Sequence, residues 1–222
     1  MSDATLFGPL RIQHSPGTWR YILVSMATFY LIRHGLNDYV DRAIAGWTPG
    51  VSLNAEGREQ ASRLAWKLLG HGITRLYSSP LERALETAAP IAKALGLRVE
   101  VRDALGEIHF GEWTGKHLAD LDRDPRWLVY NRYRSGTRPP GGELMLEAQV
   151  RIVNELECLR VRHPDETVGI VSHSDIIRAA LLHYAGMPLD LYARFTIDPA
   201  SFSIVSLEPA GPRILALNVA AD

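Results

Sequence analysis

With 222 residues, 46% of them hydrophobic and 22% charged, the chain is long enough for one α/β domain with a substantial core. A formal net charge of −1 supplies no global field for nucleic acid or an anionic membrane surface, and no apolar run approaches the roughly 18 residues of a membrane span. The single cysteine, Cys158, excludes an intrachain disulfide and reads as a small apolar residue on a helix, so a cytoplasmic protein is expected.

Residues 1–25 carry Pro9, Pro16 and Gly17, which break any periodicity, and Tyr21 to Val24 is too short for the apolar stretch of a signal peptide. Met26 reads as a start site. Residues 1–25 are therefore expected to be an N-terminal extension or a misassigned start, ahead of one domain spanning 26–222.

Thr28 to Ile32 reads as a strand buried on both faces, running into Arg33-His34-Gly35. Gly35 is expected to turn the chain with a positive φ. Gly46, Pro49 and Gly50 mark a loop. Asn54 then caps a helix whose buried stripe is Ala61, Leu64, Ala65, Leu68 and Leu69.

Ile73 to Tyr77 is a second strand. Ser79 and Glu82 have capping-box spacing with Pro80 at the first helical position, which places Arg83 in the first turn of a helix running to Gly96, with Pro90 as a kink. Leu97 to Val101 is a third strand, and Asp103 to Gly115 a loop carrying Glu107, His109, Glu112 and Trp113.

Residues 116–142 look irregular, with one short helix near Leu118–Leu121. Met145, Ala148, Ile152, Leu156 and Leu159 mark a long helix ending before His163-Pro164. Thr167 to Val171 is a further strand, followed at once by Ser172-His173-Ser174-Asp175 and a helix. Strands near 202–207 and 213–219 form a hairpin around Pro209 and Gly211. The alternation implies an α/β three-layer sandwich: a mostly parallel central sheet, helices on both faces and a C-terminal antiparallel hairpin.

Five polar groups fall at strand ends or just after them: Arg33, His34, Arg83, Glu107 and His173. The carboxyl edge of an open α/β sheet is where ligands bind. Two arginines suit a phosphoryl group, because their forked donors can grip several oxygens. A neutral imidazole can attack phosphorus, a second imidazole can donate to oxygens as charge shifts, and a carboxylic acid can protonate the leaving oxygen.

Five stretches in matching order resemble the histidine phosphatase superfamily, which includes the cofactor-dependent phosphoglycerate mutases. They are Leu31-Ile32-Arg33-His34-Gly35, the Leu53-Asn54 to Gln60-Ala61 stretch around Gly57, Tyr77-Ser78-Ser79-Pro80-Leu81 with Arg83, Glu107 through Gly115, and Val171-Ser172-His173. The resemblance implies that His34 becomes a phosphohistidine, that Glu107 donates the proton, and that Arg33, Arg83 and His173 hold the phosphate. It implies no metal and no organic cofactor.

Two positions depart from the pattern. Leu36-Asn37 stands where the family often has Glu-Thr, with Asn37 able to donate to a phosphate oxygen. Ser174-Asp175 follows the second histidine where a glycine is usual, which bears on the substrate more than on the reaction.

Other features have plainer readings. His109 is an alternative acid two residues from Glu107. His14, His71, His117, His163 and His183 lack zinc-ligand spacing and read as surface or capping residues. Glu143, after Pro139-Pro140-Gly141-Gly142, is either a substrate-side group or a helix-start charge. Arg123, Arg126, Arg132, Arg134 and Arg138, with Trp127, Tyr130 and Tyr133, are either a solvated cover or a lid over the substrate.

The expected activity is hydrolysis of a small phosphorylated metabolite, with no nucleic-acid or membrane partner. A bisphosphoglycerate-dependent mutase and a non-catalytic phospho-ligand module are the rivals, and a homodimer is left open. The ordinary pKa values of His34 and Glu107, roughly 6.5 and 4.3, stand in the wrong order for a neutral base and a protonated acid to coexist.

Overall fold

The computed structural model describes residues 11–13, 19–21 and 26–221. Two short strands, β1 (Arg11–Gln13) and β2 (Trp19–Tyr21), pair antiparallel in a ladder separate from the main sheet. His14 and the rest of residues 1–25 lie outside the described residues.

The main sheet has six strands: β3 (Ala27–Arg33), β4 (Ile73–Ser78), β5 (Val99–Val101), β6 (Thr167–Ser172), β7 (Phe202–Glu208) and β8 (Gly211–Val219). Their spatial order is β5-β4-β6-β3-β7-β8. The first four are mutually parallel, and β7 runs antiparallel to both β3 and β8.

Alternation along β3 sorts the core. Ala27, Phe29 and Leu31 face one layer, with Ile152, Leu156 and Leu159 of α5 (Met145–Arg162) and Ile176, Ile177 and Leu181 of α6 (Ser174–Tyr184). Tyr30 and Ile32 face the other, with Leu64 of α1 (Ala55–Lys67), Leu68 at its C-cap, and Ala84, Ala88 and Ile91 of α2 (Glu82–Leu95). This is the three-layer arrangement expected from the alternation of elements. Each fully buried aliphatic side chain contributes about 1.5–3 kcal/mol relative to exposure.

Some local expectations need correction. Helix α2 starts at Glu82 with Leu81 at the cap, so Ser79 and Glu82 form no capping box. The helix also runs continuously across Pro90. Residues 116–142 are more ordered than their composition suggested. Besides α3 (Leu118–Leu121) they contain α4 (Pro125–Arg132), with Asp124 accepting from the Arg126 N–H and Pro125 in the first turn. Trp127 and Tyr130 of α4 pack with Trp113 into the core, with ring centroids 5.3 Å from Trp113 in both cases. Cys158 lies on α5 but is exposed, and His163 is buried, accepting or donating to the Tyr77 hydroxyl at 2.7 Å. Among the described residues no helix is long and apolar enough to cross a membrane.

Candidate active site

Strand register builds the site. Arg33 pairs with Ser172 and Ser78 with Val171, so β3, β4 and β6 end at one level. The residues that follow, His34, His173 and Ser79, are therefore neighbours. The His34 N–H donates to the Ser172 carbonyl at 3.0 Å, and the rings of His34 and His173 lie 5.2 Å apart.

The loop after β3 is held from three sides. The Gly35 N–H donates to Thr87 Oγ1 at 3.0 Å, the Leu36 N–H to Gln60 Oε1 at 2.9 Å, and the Asn54 N–H to the Leu36 carbonyl at 3.1 Å. Gly35 does not have the positive φ expected of it. Its need for no side chain comes from packing: a Cβ there would lie 2.6 Å from the Gly57 carbonyl oxygen. The Leu53–Ala61 stretch thus serves as the seat of the His34 loop.

His34 Nδ1 lies 2.7 Å from the Gly35 carbonyl oxygen. A carbonyl only accepts, so Nδ1 carries the proton and Nε2 keeps its lone pair. Burial holds the His34 pKa well below the ordinary value, and the Arg83 and Arg33 charges push it the same way. His173 is lowered for the same reasons, burial first and then Arg83. Its Nε2 sits 2.7 Å from Ser79 Oγ. Ser79 thus orients a histidine instead of capping a helix.

Arg33 donates to the Ile197 carbonyl at 2.6 Å, and Arg83 to the Gly46 carbonyl at 2.8 Å. These bonds fix both guanidinium groups while leaving other donors unused. Arg33 Nε, Arg83 Nε and Nη1, Asn37 Nδ2, His173 Nδ1 and Ser174 Oγ are all buried without a hydrogen-bond partner among the described residues. An unmade bond at a buried polar atom costs about 1–3 kcal/mol, so such a concentration in one place needs a cause.

Glu107 comes from the loop after β5. Its Oε1 accepts from the Ile108 N–H at 2.9 Å. Burial pushes the carboxyl up to about 7, with the nearby Asp175 carboxylate acting in the same direction against Arg83 and Arg33. The loop is braced by Arg151 of α5, which donates to the carbonyls of Ala104 at 2.7 Å, Gly106 at 2.9 Å and Glu107 at 3.3 Å. Glu143 grips the same guanidinium at 2.9 and 3.0 Å and accepts from the His109 N–H at 3.3 Å. Glu143 is therefore part of the brace. The Trp47 indole N–H donates to the Glu107 carbonyl at 2.6 Å, and its ring stacks on exposed His109 at 4.5 Å. His109 stays outside the cleft.

The cleft encloses about 230 Å³. Arg33, His34, Asn37, Arg83 and Glu107 line it, joined by Tyr39, Val40, Asp41 and Ala43 to Gly46 from the loop after β3, by Phe110 and Leu118, and by Ser174, Asp175 and Arg178 of α6. Of the five cover arginines none lines it. Arg134 is buried, donating to Asp175 at 2.7 Å with its guanidinium 3.7 Å from the Tyr192 ring centroid. Burial pushes the Asp175 carboxyl up, but Arg134 and Arg178 outweigh it and hold the pKa below the ordinary value.

Residues 29–220 match the model of the histidine phosphatase superfamily (branch 1), and the chain belongs to that family. Phosphoserine phosphatase 1 of Hydrogenobacter thermophilus is 32% identical over 200 residues, covering 87% of this chain and 93% of its own length. The adenosylcobalamin/alpha-ribazole phosphatase of Escherichia coli is 26% identical over 192 residues, covering 85% and 94%. The solved structure of a mycobacterial glucosyl-3-phosphoglycerate phosphatase superposes with a TM-score of 0.80 at 25% identity, covering 88% of this chain and all of that one (100%).

Proposed function

We propose that the chain hydrolyses small phosphomonoesters through a phosphohistidine on His34 Nε2. The observation carrying this reading is the set of buried donors on Arg33, Arg83, Asn37 and His173 that have no partner among the described residues, around an imidazole whose Nδ1 is bonded to the Gly35 carbonyl so that Nε2 keeps its lone pair. A phosphoryl group, with several charged oxygens, is the acceptor that such a set fits.

In the first step the His34 Nε2 lone pair forms a bond to phosphorus as the ester P–O bond breaks. The Glu107 carboxyl gives its proton to the leaving oxygen. Ser79 Oγ accepts from the Leu81 N–H at 3.3 Å and donates its own O–H to His173 Nε2 as a hydrogen bond, which leaves His173 Nδ1–H to donate to the phosphoryl oxygens. In the second step the Glu107 carboxylate takes a proton from water. The water oxygen bonds to phosphorus, the P–N bond breaks, and inorganic phosphate leaves.

A cleft of about 230 Å³, the liquid volume of roughly eight waters, suits a small phosphorylated metabolite. The relatives' names support a phosphomonoester: phosphoserine, glucosyl-3-phosphoglycerate and alpha-ribazole phosphatases. In this reading residues 26–222 are the catalytic unit, and removing residues 1–25 leaves turnover unchanged.

The test is a rapid quench of enzyme with radiolabelled ester. The expected result is an acid-labile, base-stable phosphoenzyme that is missing, together with turnover, in His34→Ala. Label that persists in His34→Ala removes His34 from the role.

A further inference from the structure

The first two turns of α6 put a second donor pair in the cleft, separate from the pair of arginines that flank His34. Ser174 and Arg178 are four residues apart on one helix, hence on one face, and both line the cleft. The Ser174 hydroxyl is buried without a partner among the described residues. Arg178 is held firmly: Nε donates to the Phe195 carbonyl at 2.9 Å and Nη1 to Asp175 Oδ1 at 3.1 Å. Its remaining terminal nitrogen has no hydrogen-bond partner among the described residues.

The charge balance around Arg178 gives this pair its meaning. Asp175 is already matched by buried Arg134 at 2.7 Å, so two guanidinium groups share one carboxylate. One positive charge is left over, and of the two arginines only Arg178 lines the cleft. The amino end of α6 adds partial positive charge at the same place. Asp41 also lines the cleft and repels an anion, so a second anion is held best beside Ser174 and Arg178, which supply donors and the unmatched positive charge.

We infer that Ser174 and Arg178 form a subsite for a carboxylate carried by the substrate, so that the preferred substrates are phosphomonoesters of small hydroxy acids. This rests on the phosphatase reading above, with Arg33 and Arg83 occupied by the phosphoryl group. The apolar side chains of Val40, Ile44, Phe110 and Leu118 then flank a short carbon skeleton between the two anionic ends.

The test uses matched esters differing in the carboxylate: O-phosphoserine against O-phosphoethanolamine, and 3-phosphoglycerate against glycerol 3-phosphate. A charge-assisted hydrogen bond predicts that wild-type kcat/KM favours the acid in each pair by about tenfold to a hundredfold. Arg178→Gln should shrink that ratio about tenfold or more, Arg178→Lys should keep part of it, and Ser174→Gly should shrink it less. Thermal melts check that each variant folds. The wild-type ratio stands as a measurement that needs no variant. Equal kcat/KM within both pairs, a preference for the esters without a carboxylate, or an Arg178→Gln loss equal for both members of each pair overturns the subsite while leaving the phosphatase reading intact. No phosphate release from any ester, and no trapped phosphoenzyme, overturns both.

Discussion

A β-carbon added to Gly57 would lie 2.0 Å from the carbonyl oxygen of Leu36. The obstacle is backbone, so no side chain can swing aside. The same carbonyl accepts from the Asn54 N–H at 3.1 Å, so α1 and the His34 loop cannot separate without breaking that bond. Gly57→Ala should cost about 1–3 kcal/mol by overpacking and, by shifting His34, lower kcat about tenfold to a hundredfold. Gly70→Ala is the comparison: φ is +79° there but nothing lies near the added atom. It should cost about 1–2 kcal/mol of backbone strain with kcat unchanged. Urea melts and steady-state rates distinguish the two, and a Gly57→Ala enzyme of normal kcat would show that the loop tolerates displacement.

The site reverses the ordinary order of its two working groups. Burial, then Arg83 and Arg33, depress His34 well below 6.5, while burial and then Asp175 lift Glu107 to about 7. Between those values His34 is neutral and Glu107 protonated at once. kcat/KM should therefore fall as pH rises through about 7 and persist in acid to well below the usual histidine range. The substrate's own ionisation affects every enzyme form alike, so the decisive comparison is with Glu107→Gln. That variant should be slower by about 10²–10⁴-fold and lose the alkaline limb. An unchanged limb in Glu107→Gln would assign it to another group.

The raised Glu107 pKa also has a sign for stability. The folded chain holds this proton more tightly than the unfolded chain, where the carboxyl titrates near roughly 4.3. Its stabilising contribution is complete below that pH and is lost as pH rises through about 7. Glutamine is neutral in both states and suffers no such loss. Denaturant melts should show Glu107→Gln gaining on the wild type between about pH 4.3 and 7, with the gain level above that. A difference constant with pH would mean that the carboxyl does not titrate differently on folding.

Much of this site could be read from the chain because its groups sit at local punctuation. An apolar run ending in Arg33-His34, and another ending in Ser172-His173, place their polar residues at the sheet edge whatever surrounds them. Arg83 lies in the first turn of α2 as expected, although the helix starts at Glu82 and not at Pro80. Ser79 looks like a cap because it stands three residues before a glutamate, while its actual partner, His173, is 94 residues away. Arg151 and Glu143 were hidden differently: on α5 and its approach they look like ordinary surface charges, and only folding brings the Ala104–Glu107 carbonyls to them. Helix α4 did carry a local signal, Asp124-Pro125 with Trp127 and Tyr130 three apart, but the surrounding arginines and glycine masked its period.

Arg151 should act on the reaction through Glu107. It donates to three carbonyls of the acid loop and is gripped by Glu143, in a setting that is only partly buried. Arg151→Met should cost about 1–3 kcal/mol, below the range for fully buried pairs. kcat should drop more than KM rises, and the alkaline limb should move, because Glu107 is displaced. Arg151→Lys should rescue little, since one ammonium cannot span the forked contacts. A stability loss with kcat and pH profile unchanged would reduce Arg151 to a purely structural role.

Whether water or a second hydroxyl receives the phosphoryl group depends on what covers His34. A mutase must retain its acceptor and exclude water, and residues 116–142 are the segment placed to do so. Its arginines are committed elsewhere or face solvent: Arg134 to Asp175, Arg126 to Asp124 at 2.8 Å, Arg138 to Glu147 at 2.6 Å, with Arg123 and Arg132 exposed. Of this segment only Leu118 lines the cleft, and an apolar side chain cannot hold a second phosphate. Water should therefore be the normal acceptor. The purified protein should release inorganic phosphate from 3-phosphoglycerate without priming by a bisphosphate. Adding EDTA should not slow it, because Arg33 and Arg83 supply the positive charge that phosphoryl transfer requires. Interconversion of 2- and 3-phosphoglycerate faster than phosphate release, and dependent on 2,3-bisphosphoglycerate, would establish the mutase instead.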